Sequence, residues 1–137
     1  ILGMAGNIGT QSIAVTILKL NNSDLDDQTK VRKHVFKELS IGFLNSLFTG
    51  ILGFILAFAV LSIVPIGSQE PIMLSFVIGV SLFGGMLISA LAGILIPLTL
   101  DKLKIDPAAA SGPIISTIND FFALIIYFGI ATIMFIS

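Results

Sequence analysis

Asp120 is the residue of this sequence whose position points most directly to chemistry. It is the one charged residue between Ala108 and Ser137, in an apolar stretch long enough to cross a bilayer. An ionised carboxylate inside hydrocarbon costs roughly 3 kcal/mol on insertion scales, so its surroundings must supply water, a cation or polar partners. Because residues three and four apart share a helix face, the stretch carries a stripe of small and polar residues. Its members are Gly112, Pro113, Ser116, Thr117 and Asp120.

A second polar stripe lies near the start of the chain. Its residues are spaced at i, i+3, i+4 and i+7, the spacing of one helix face, and they are Asn7, Thr10, Gln11 and Ala14. Two such stripes on two helices indicate an aqueous route for a cation between them. The alternative is structural: the stripes hold helices together by hydrogen bonds, and Pro113 makes an ordinary kink rather than freeing the carbonyl of Ala109.

The composition is that of an integral membrane protein. Of the 137 residues, 55% are hydrophobic and 11% are charged, too few charges for the surface of a soluble domain of this size. The chain has no cysteine and one histidine, which excludes a thiolate metal site and a multi-histidine site within one chain. No catalytic constellation or phosphate-binding loop is present, so we expect neither an enzyme nor a nucleic-acid partner.

The apolar pattern predicts an all-α, polytopic transmembrane helical bundle. Four spans are expected, at roughly 1–20, 38–64, 71–100 and 107–136. We expect the connection before the second span to begin as an amphipathic helix at the lipid headgroups. In the third span small residues recur every four positions, which predicts a helix-packing seam. The seam consists of Ser81, Gly85, Ser89 and Gly93.

All seven Lys and Arg fall in two connections, 19–37 and 101–106. The positive-inside bias places both connections on the cytoplasmic side of the cell membrane and the C-terminus outside. This topological role is the simplest interpretation of the basic cluster at 30–37.

The oxygen ligands around Asp120 are hard donors, which suit Mg²⁺, Ca²⁺ or Mn²⁺ rather than Cu or Zn. Mg²⁺ keeps several waters and binds through one or two carboxylates. One Asp per chain is therefore sufficient if a second copy supplies another across a two-fold axis. The expected assembly is a homodimer in the bilayer, with hydrated divalent cations passing along the interface.

Two stretches resemble signatures of the membrane domain of the MgtE family of magnesium channels and transporters. The first is Gly6-Asn7-Ile8-Gly9-Thr10-Gln11-Ser12, and the second comprises Asp106-Pro107-Ala108, Ser111-Gly112-Pro113 and Ser116-Thr117-Ile118-Asn119-Asp120. The resemblance covers essentially the whole chain. It implies the second to fifth helices of a five-helix, homodimeric membrane domain, without the first helix and without the cytoplasmic N-terminal and CBS domains that sense Mg²⁺.

The resemblance also implies roles for individual residues. The pore is lined by the second and fifth helices of the family, and the Asp at Asp120 holds a hydrated Mg²⁺. The Asn at Asn7 and backbone oxygen near Ser116 help to hold the ion. The family often has Asn where Gly112 stands, so a contact from position 112 must come from the backbone.

Two other functions fit the residues. Asp120 can be the carrier site of a proton- or sodium-coupled secondary transporter, which flux measurements under defined gradients would reveal. Alternatively, the chain is a non-transporting membrane subunit that packs through the seam of small residues, which extends from Ser81 to Pro97. In that case Asp120→Asn is silent, whereas a bulky residue at Gly85 or Gly93 disrupts assembly.

Overall fold

The structure is a computed structural model that describes residues 2–64, 70–110 and 113–136. The described residues form four α-helices and one short 3₁₀ turn, with no strand among them. The helices are α1 (Leu2–Asn21), α2 (Gln28–Ile63), α3 (Pro71–Lys102) and α4 (Pro113–Ile136), and the 3₁₀ turn is Pro107–Ala110. The all-α prediction is confirmed.

Three helices among the described residues are long and apolar enough to cross a membrane. They are α2, α3 and the part of α4 from Ser116 to Met134. Helix α1, with 20 residues, is not among these three and carries the polar residues of the first stripe. The chain is thus a multi-pass membrane protein.

Helix α2 begins well before the predicted span and runs without a break through it. Asp27 caps its N-terminus, where the side chain accepts a hydrogen bond from the backbone N–H of Thr29 at 3.3 Å. At about 1.5 Å per residue, a helix of 36 residues is roughly 54 Å long, more than the hydrocarbon thickness of a bilayer. The first turns of α2 therefore extend beyond the hydrocarbon.

Helices α1 and α3 end in the same backbone motif. After α1, Asp24 N–H donates to the carbonyl of Lys19 at 3.0 Å, and Ser23 N–H donates to Leu20 at 3.1 Å. After α3, Lys104 N–H donates to Asp101, and the following N–H donates to Leu100, both at 2.9 Å. This Schellman pattern needs a left-handed residue, and Ser23 and Lys104 take that conformation with φ of 56° and 58°.

Helix α3 is the centre of the bundle and packs against the other three helices, while α1 also packs against α4. Its interface with α2 is made by small residues. A Cβ added at Gly42 would lie 2.7 Å from the Cβ of Ala90, and one added at Gly50 would lie 3.0 Å from the carbonyl oxygen of Gly79. Only glycine permits this approach of two backbones, which supplies the contact that holds helices together in lipid.

The outer and inner faces of α2 carry different kinds of side chain. Its buried residues are mostly small or polar, and they are His34, Glu38, Gly42, Ser46, Gly50 and Leu61. Its large apolar side chains point outward, among them Phe43, Leu44, Leu47 and Phe48. Asn45 is exposed too, rather than lying between helices. Such a helix is stable when hydrocarbon covers its outer face, as in a bilayer.

Candidate functional site

Asp120 lies on α4 at the edge of the bundle rather than on its outermost face. Ser116, Asp120 and Ala123 share a helix face because they are spaced four and three residues apart. Ala123 is fully buried, while Ser116 and Asp120 are half-buried. Phe121, the residue after Asp120, is exposed and points outward. The carboxyl group thus lies at the boundary between packed helices and the surface of the chain.

The polar stripe of α1 faces away from α3. The buried side of α1 is made by Ile8, Ser12, Ile13 and Thr16. Asn7, Gln11 and Ala14 lie on the other side and are exposed, and Thr10 is half-buried. The Thr10 hydroxyl lies 3.0 Å from the carbonyl oxygens of Gly6 and of Asn7, so it is held against its own helix.

The two stripes lie at neighbouring positions of the bundle. Helices α1 and α4 pack together, and Ile8 of α1 belongs to the same core cluster as Ala123 of α4, with Met86 and Ala90 of α3. Asn7 directly precedes Ile8, and Asp120 lies one turn before Ala123. Asn7 and Asp120 are therefore each close along their helix to a member of one shared apolar cluster.

The remaining predicted residues of α4 are only partly described. Thr117 is exposed at the same end of the helix as Ser116. Pro113 is the first residue of α4, but its side chain and Gly112 lie outside the described part of the chain. Within the described residues, no three His, Cys, Asp or Glu side chains come together in a group that could hold a metal ion.

The predicted seam of α3 is buried along its whole length. Ser81 and Ser89 are at most 1% exposed, and Gly85 and Gly93 are buried as well. A Cβ at Gly93 would lie 2.5 Å from the carbonyl oxygen of Gly9, and one at Gly85 would lie 3.4 Å from the Cβ of Ala123. The seam therefore contacts α1 and α4 of the same chain, the two helices that carry the polar stripes.

A polar contact that the sequence analysis did not single out joins α1 to α2. His34 is 2% exposed, and its Nε2 lies 3.0 Å from the Thr16 hydroxyl, which donates to the Ser12 carbonyl oxygen at 2.7 Å. Because the hydroxyl has one proton and donates it to Ser12, Nε2 must carry the proton of the neutral ring. His34 Nδ1 is buried without a hydrogen-bond partner in the described structure.

The environment of His34 favours the neutral ring. His34 precedes the predicted span 38–64, and burial lowers its pKa, with Lys19 and Lys37 lowering it further and Glu38 opposing them. The sequence does contain a signal for this contact. The stride of four that links Gly42, Ser46 and Gly50 extends backward through Glu38 to His34, which places both on the inner face of α2.

Comparison with known proteins agrees with the resemblance of the two motifs. The family model of MgtE, described as a divalent cation transporter, matches residues 1–130. A magnesium transporter MgtE of Bacillus subtilis is 45% identical over 95% of this chain and 27% of its own length. One of Enterococcus faecalis is 38% identical over 96% of this chain, and one of Thermus thermophilus is 34% identical over 98%.

The chain spans about a quarter of the length of these curated relatives, 27–28% in each case. The family match, in contrast, covers nearly all of the chain and includes both stripes as far as Asp120. It describes transporters rather than enzymes. The chain belongs to the MgtE family of divalent cation transporters.

Proposed function

We propose that this chain is the pore-forming part of a Mg²⁺ channel or transporter, in which two copies form a pathway between their α1 and α4 helices. The observation that carries the proposal is the exposure of the polar stripe of α1. Asn7, Gln11 and Ala14 turn away from the chain's own bundle, on a helix that packs against α4, the helix that carries the half-buried Asp120. In a bilayer such a face needs water or another polar surface, and a second copy with an aqueous pathway supplies both.

The chemistry of the stripes suits a hydrated divalent cation. Asp120 provides one carboxylate per chain, while the side chain of Asn7 and the hydroxyl groups of Ser116 and Thr117 provide neutral oxygens along the two stripes. Mg²⁺ gives up its waters reluctantly, so a site that binds through water, with few direct ligands, fits it. The relatives' names support Mg²⁺ as the transported ion.

The orientation of the chain follows from its charges. The seven Lys and Arg lie in the connections 19–37 and 101–106, which we place in the cytoplasm, with the C-terminus outside the cell membrane. Backbone oxygen near Ser116 and at position 112 then lies toward the cytoplasmic end of the pathway, with Pro113 at the start of the helix.

Replacing Asp120 with Asn tests the site. Asn keeps the size of the side chain and removes its charge. A hydrogen bond to a charged group is worth about 1.5–3 kcal/mol, so we expect Mg²⁺ flux to fall by about tenfold or more. Flux is measured with a Mg²⁺-sensitive dye in proteoliposomes that contain the full-length protein. Asp101→Asn is the matched control, because Asp101 is an exposed carboxylate in the 101–106 connection.

Equal flux in the Asp120→Asn variant and the wild type would disprove the role of Asp120. The same vesicles separate the alternatives. Flux that persists without a proton or sodium gradient excludes a coupled secondary transporter, and flux that requires such a gradient supports one. Absence of flux in the wild type, with correct insertion, would support a non-transporting subunit.

A further inference from the structure

The first turns of α2 carry an exposed face that the proposed ion pathway does not use. Thr29, Arg32, Lys33 and Phe36 are spaced at i, i+3, i+4 and i+7, and all four are exposed. Together with Val35 and Leu39 they line a shallow groove of about 580 Å³. The groove has basic groups at one end and apolar side chains at the other.

This groove continues the face of α2 that hydrocarbon covers. Phe36 is 74% exposed, and the exposed side chains of Phe43, Leu44 and Leu47 follow it on the next turns. The opposite face carries His34, which packs against α1. The basic pair Arg32 and Lys33 therefore lies on the lipid-facing side of the helix, one turn beyond the first exposed aromatic ring.

The length of α2 places the basic pair at the level of the headgroups. Arg32 and Ile63 are separated by roughly 46 Å of helix at about 1.5 Å per residue. A bilayer with its headgroups is about 40–45 Å thick. With Ile63 at one surface, Arg32 and Lys33 reach the phosphate layer of the other leaflet, and Phe36 lies just beneath it.

The charge of this face is positive. Lys30, Arg32, Lys33 and Lys37 lie within the first turns of α2, and the acidic residue of that segment, Glu38, is buried on the inner face. Asp27 precedes the helix and its carboxylate caps the helix N-terminus. The exposed groove thus matches an anionic group next to an apolar one.

We propose that this groove binds an anionic phospholipid of the leaflet on the basic side. Arg32 and Lys33 bind the phosphate and headgroup, and Phe36 and Leu39 contact the upper part of an acyl chain. The order of the groups along the helix, charge outside and apolar surface inside, is the order of the same groups in a phospholipid. An acidic protein segment would match the charges but would leave Phe36 in contact with hydrocarbon.

The test compares two double variants of the full-length protein, each of which removes two positive charges. Arg32→Gln with Lys33→Gln changes the groove. Lys102→Gln with Lys104→Gln is the control, since both lysines are exposed in the other basic connection and do not line the groove. Native mass spectrometry measures the binding of phosphatidylglycerol and of phosphatidylcholine to each purified protein.

We expect the groove variant to bind phosphatidylglycerol about tenfold more weakly, with phosphatidylcholine binding unchanged, because the groove then lacks both basic groups that bind the anionic headgroup. The control pair should change the affinity by less than about twofold. Unchanged phosphatidylglycerol binding in the groove variant, or equal weakening in both pairs, would overturn the proposal. If the groove variant instead loses its binding of an acidic polypeptide, that result would assign the face to a protein partner and overturn the proposal.

A second variant tests the apolar half of the groove. Phe36→Ser removes the ring but keeps both charges. It should weaken the binding of dioleoyl phosphatidylglycerol by about fivefold through the loss of apolar contact. Soluble glycerol phosphate at the same concentration should not compete. Full competition by glycerol phosphate would show that the groove recognises a phosphate alone and would refute the acyl contact.

Discussion

His34 is a single residue that links the helix of the first polar stripe to the helix that faces lipid. Its neutral ring donates to Thr16 of α1, and protonation of the buried Nδ1 would add an N–H that has no acceptor. The nearby Lys19 and Lys37 oppose a positive charge, and Glu38 only partly offsets them. The neutral form therefore stabilises the fold.

From this we expect the protein to lose stability as the pH falls. The pKa of His34 is lower in the folded state than in the unfolded state, where it is about 6.5. The contribution of the neutral ring to folding stability is therefore complete above pH 6.5, and it is lost as the pH falls from there toward the folded pKa. The thermal unfolding midpoint, measured in detergent at pH 7.5 and 5.5, should fall at the lower pH. His34→Gln keeps a donor, does not titrate, and should show a smaller fall.

The contact of Thr16 with His34 can be tested separately. Thr16→Val keeps the shape of the side chain but leaves the ring Nε2–H of His34 unpaired, which should destabilise the protein by about 1–3 kcal/mol. Chemical unfolding in detergent measures this loss. Thr99→Val is the control, because Thr99 is exposed and its hydroxyl donates to Leu95 within its own helix. Equal losses in the two variants would argue against a special role of the His34 contact.

Helices α3 and α1 approach each other closely at Gly93. An added methyl group would lie 2.5 Å from the carbonyl oxygen of Gly9 and 2.8 Å from the Cβ of Ser12, and backbone cannot yield without moving a helix. We expect Gly93→Ala to destabilise the protein by about 1–3 kcal/mol. Gly129→Ala in α4 is the control, because nothing lies within 4 Å of its added Cβ and alanine favours the helix. Unfolding midpoints that fall equally would contradict the close approach.

At the end of α3, a substitution is expected to stabilise the protein. Lys104 holds a left-handed conformation with φ of 58°, which costs a residue with a side chain about 1–2 kcal/mol and costs glycine almost nothing. Lys104→Gly should stabilise the protein by about 1 kcal/mol after the entropy of the unfolded chain is counted. Lys102→Gly, at the last residue of α3, should instead destabilise it, because glycine has a lower helix propensity than lysine. The free energy of unfolding of both variants checks the sign.

The helices themselves could be predicted from sequence because their signals are local. The apolar runs, the acidic cap at Asp27 and the four-residue stride of Ser81 to Gly93 are each contained in one segment. The four-residue spacing does not indicate which helix these small residues contact. Gly93 meets α1 and Gly85 meets α4, and these contacts join residues far apart in the chain. The contact of His34 with Thr16 escaped prediction for the same reason.

Across the described part of the molecule, large apolar side chains cover much of the outer surface, and the interior combines small and polar residues with apolar ones such as Met86 and Ile94. The inner residues of α2 are mostly small or polar and the seam of α3 is small, while phenylalanine, leucine and isoleucine side chains cover the outer surfaces of α2 and α4. The stripe of α1 departs from this pattern, since it is polar and exposed. The sequence could reveal the stripe by its spacing, but it does not reveal what covers the stripe, because the described bundle leaves it exposed.

A cross-linking experiment on the exposed stripe tests whether a second copy covers it. The chain has no cysteine, so a single Cys introduced at Ala14 would be the one thiol in this segment. If two α1 helices face each other across a pathway, oxidation in native membranes should join a large fraction of the protein into a dimer, because a disulfide requires Cα atoms within about 7 Å. A Gln11→Cys variant, one turn away on the same face, extends the measurement along the helix.

Ile51→Cys is the matched control for this experiment. Ile51 is exposed on the outer face of α2, where we expect lipid rather than a second α1 helix, so it should not form the same cross-link. Dimer formation at Ala14 or Gln11 without dimer formation at Ile51 places the symmetry axis beside the polar stripe. If all three positions cross-link equally, random collision explains the products, and if only Ile51 does, the two copies meet through α2. In the second case the pathway between paired α1 and α4 helices would be wrong, because the Asp120 carboxylates of the two copies would not face each other.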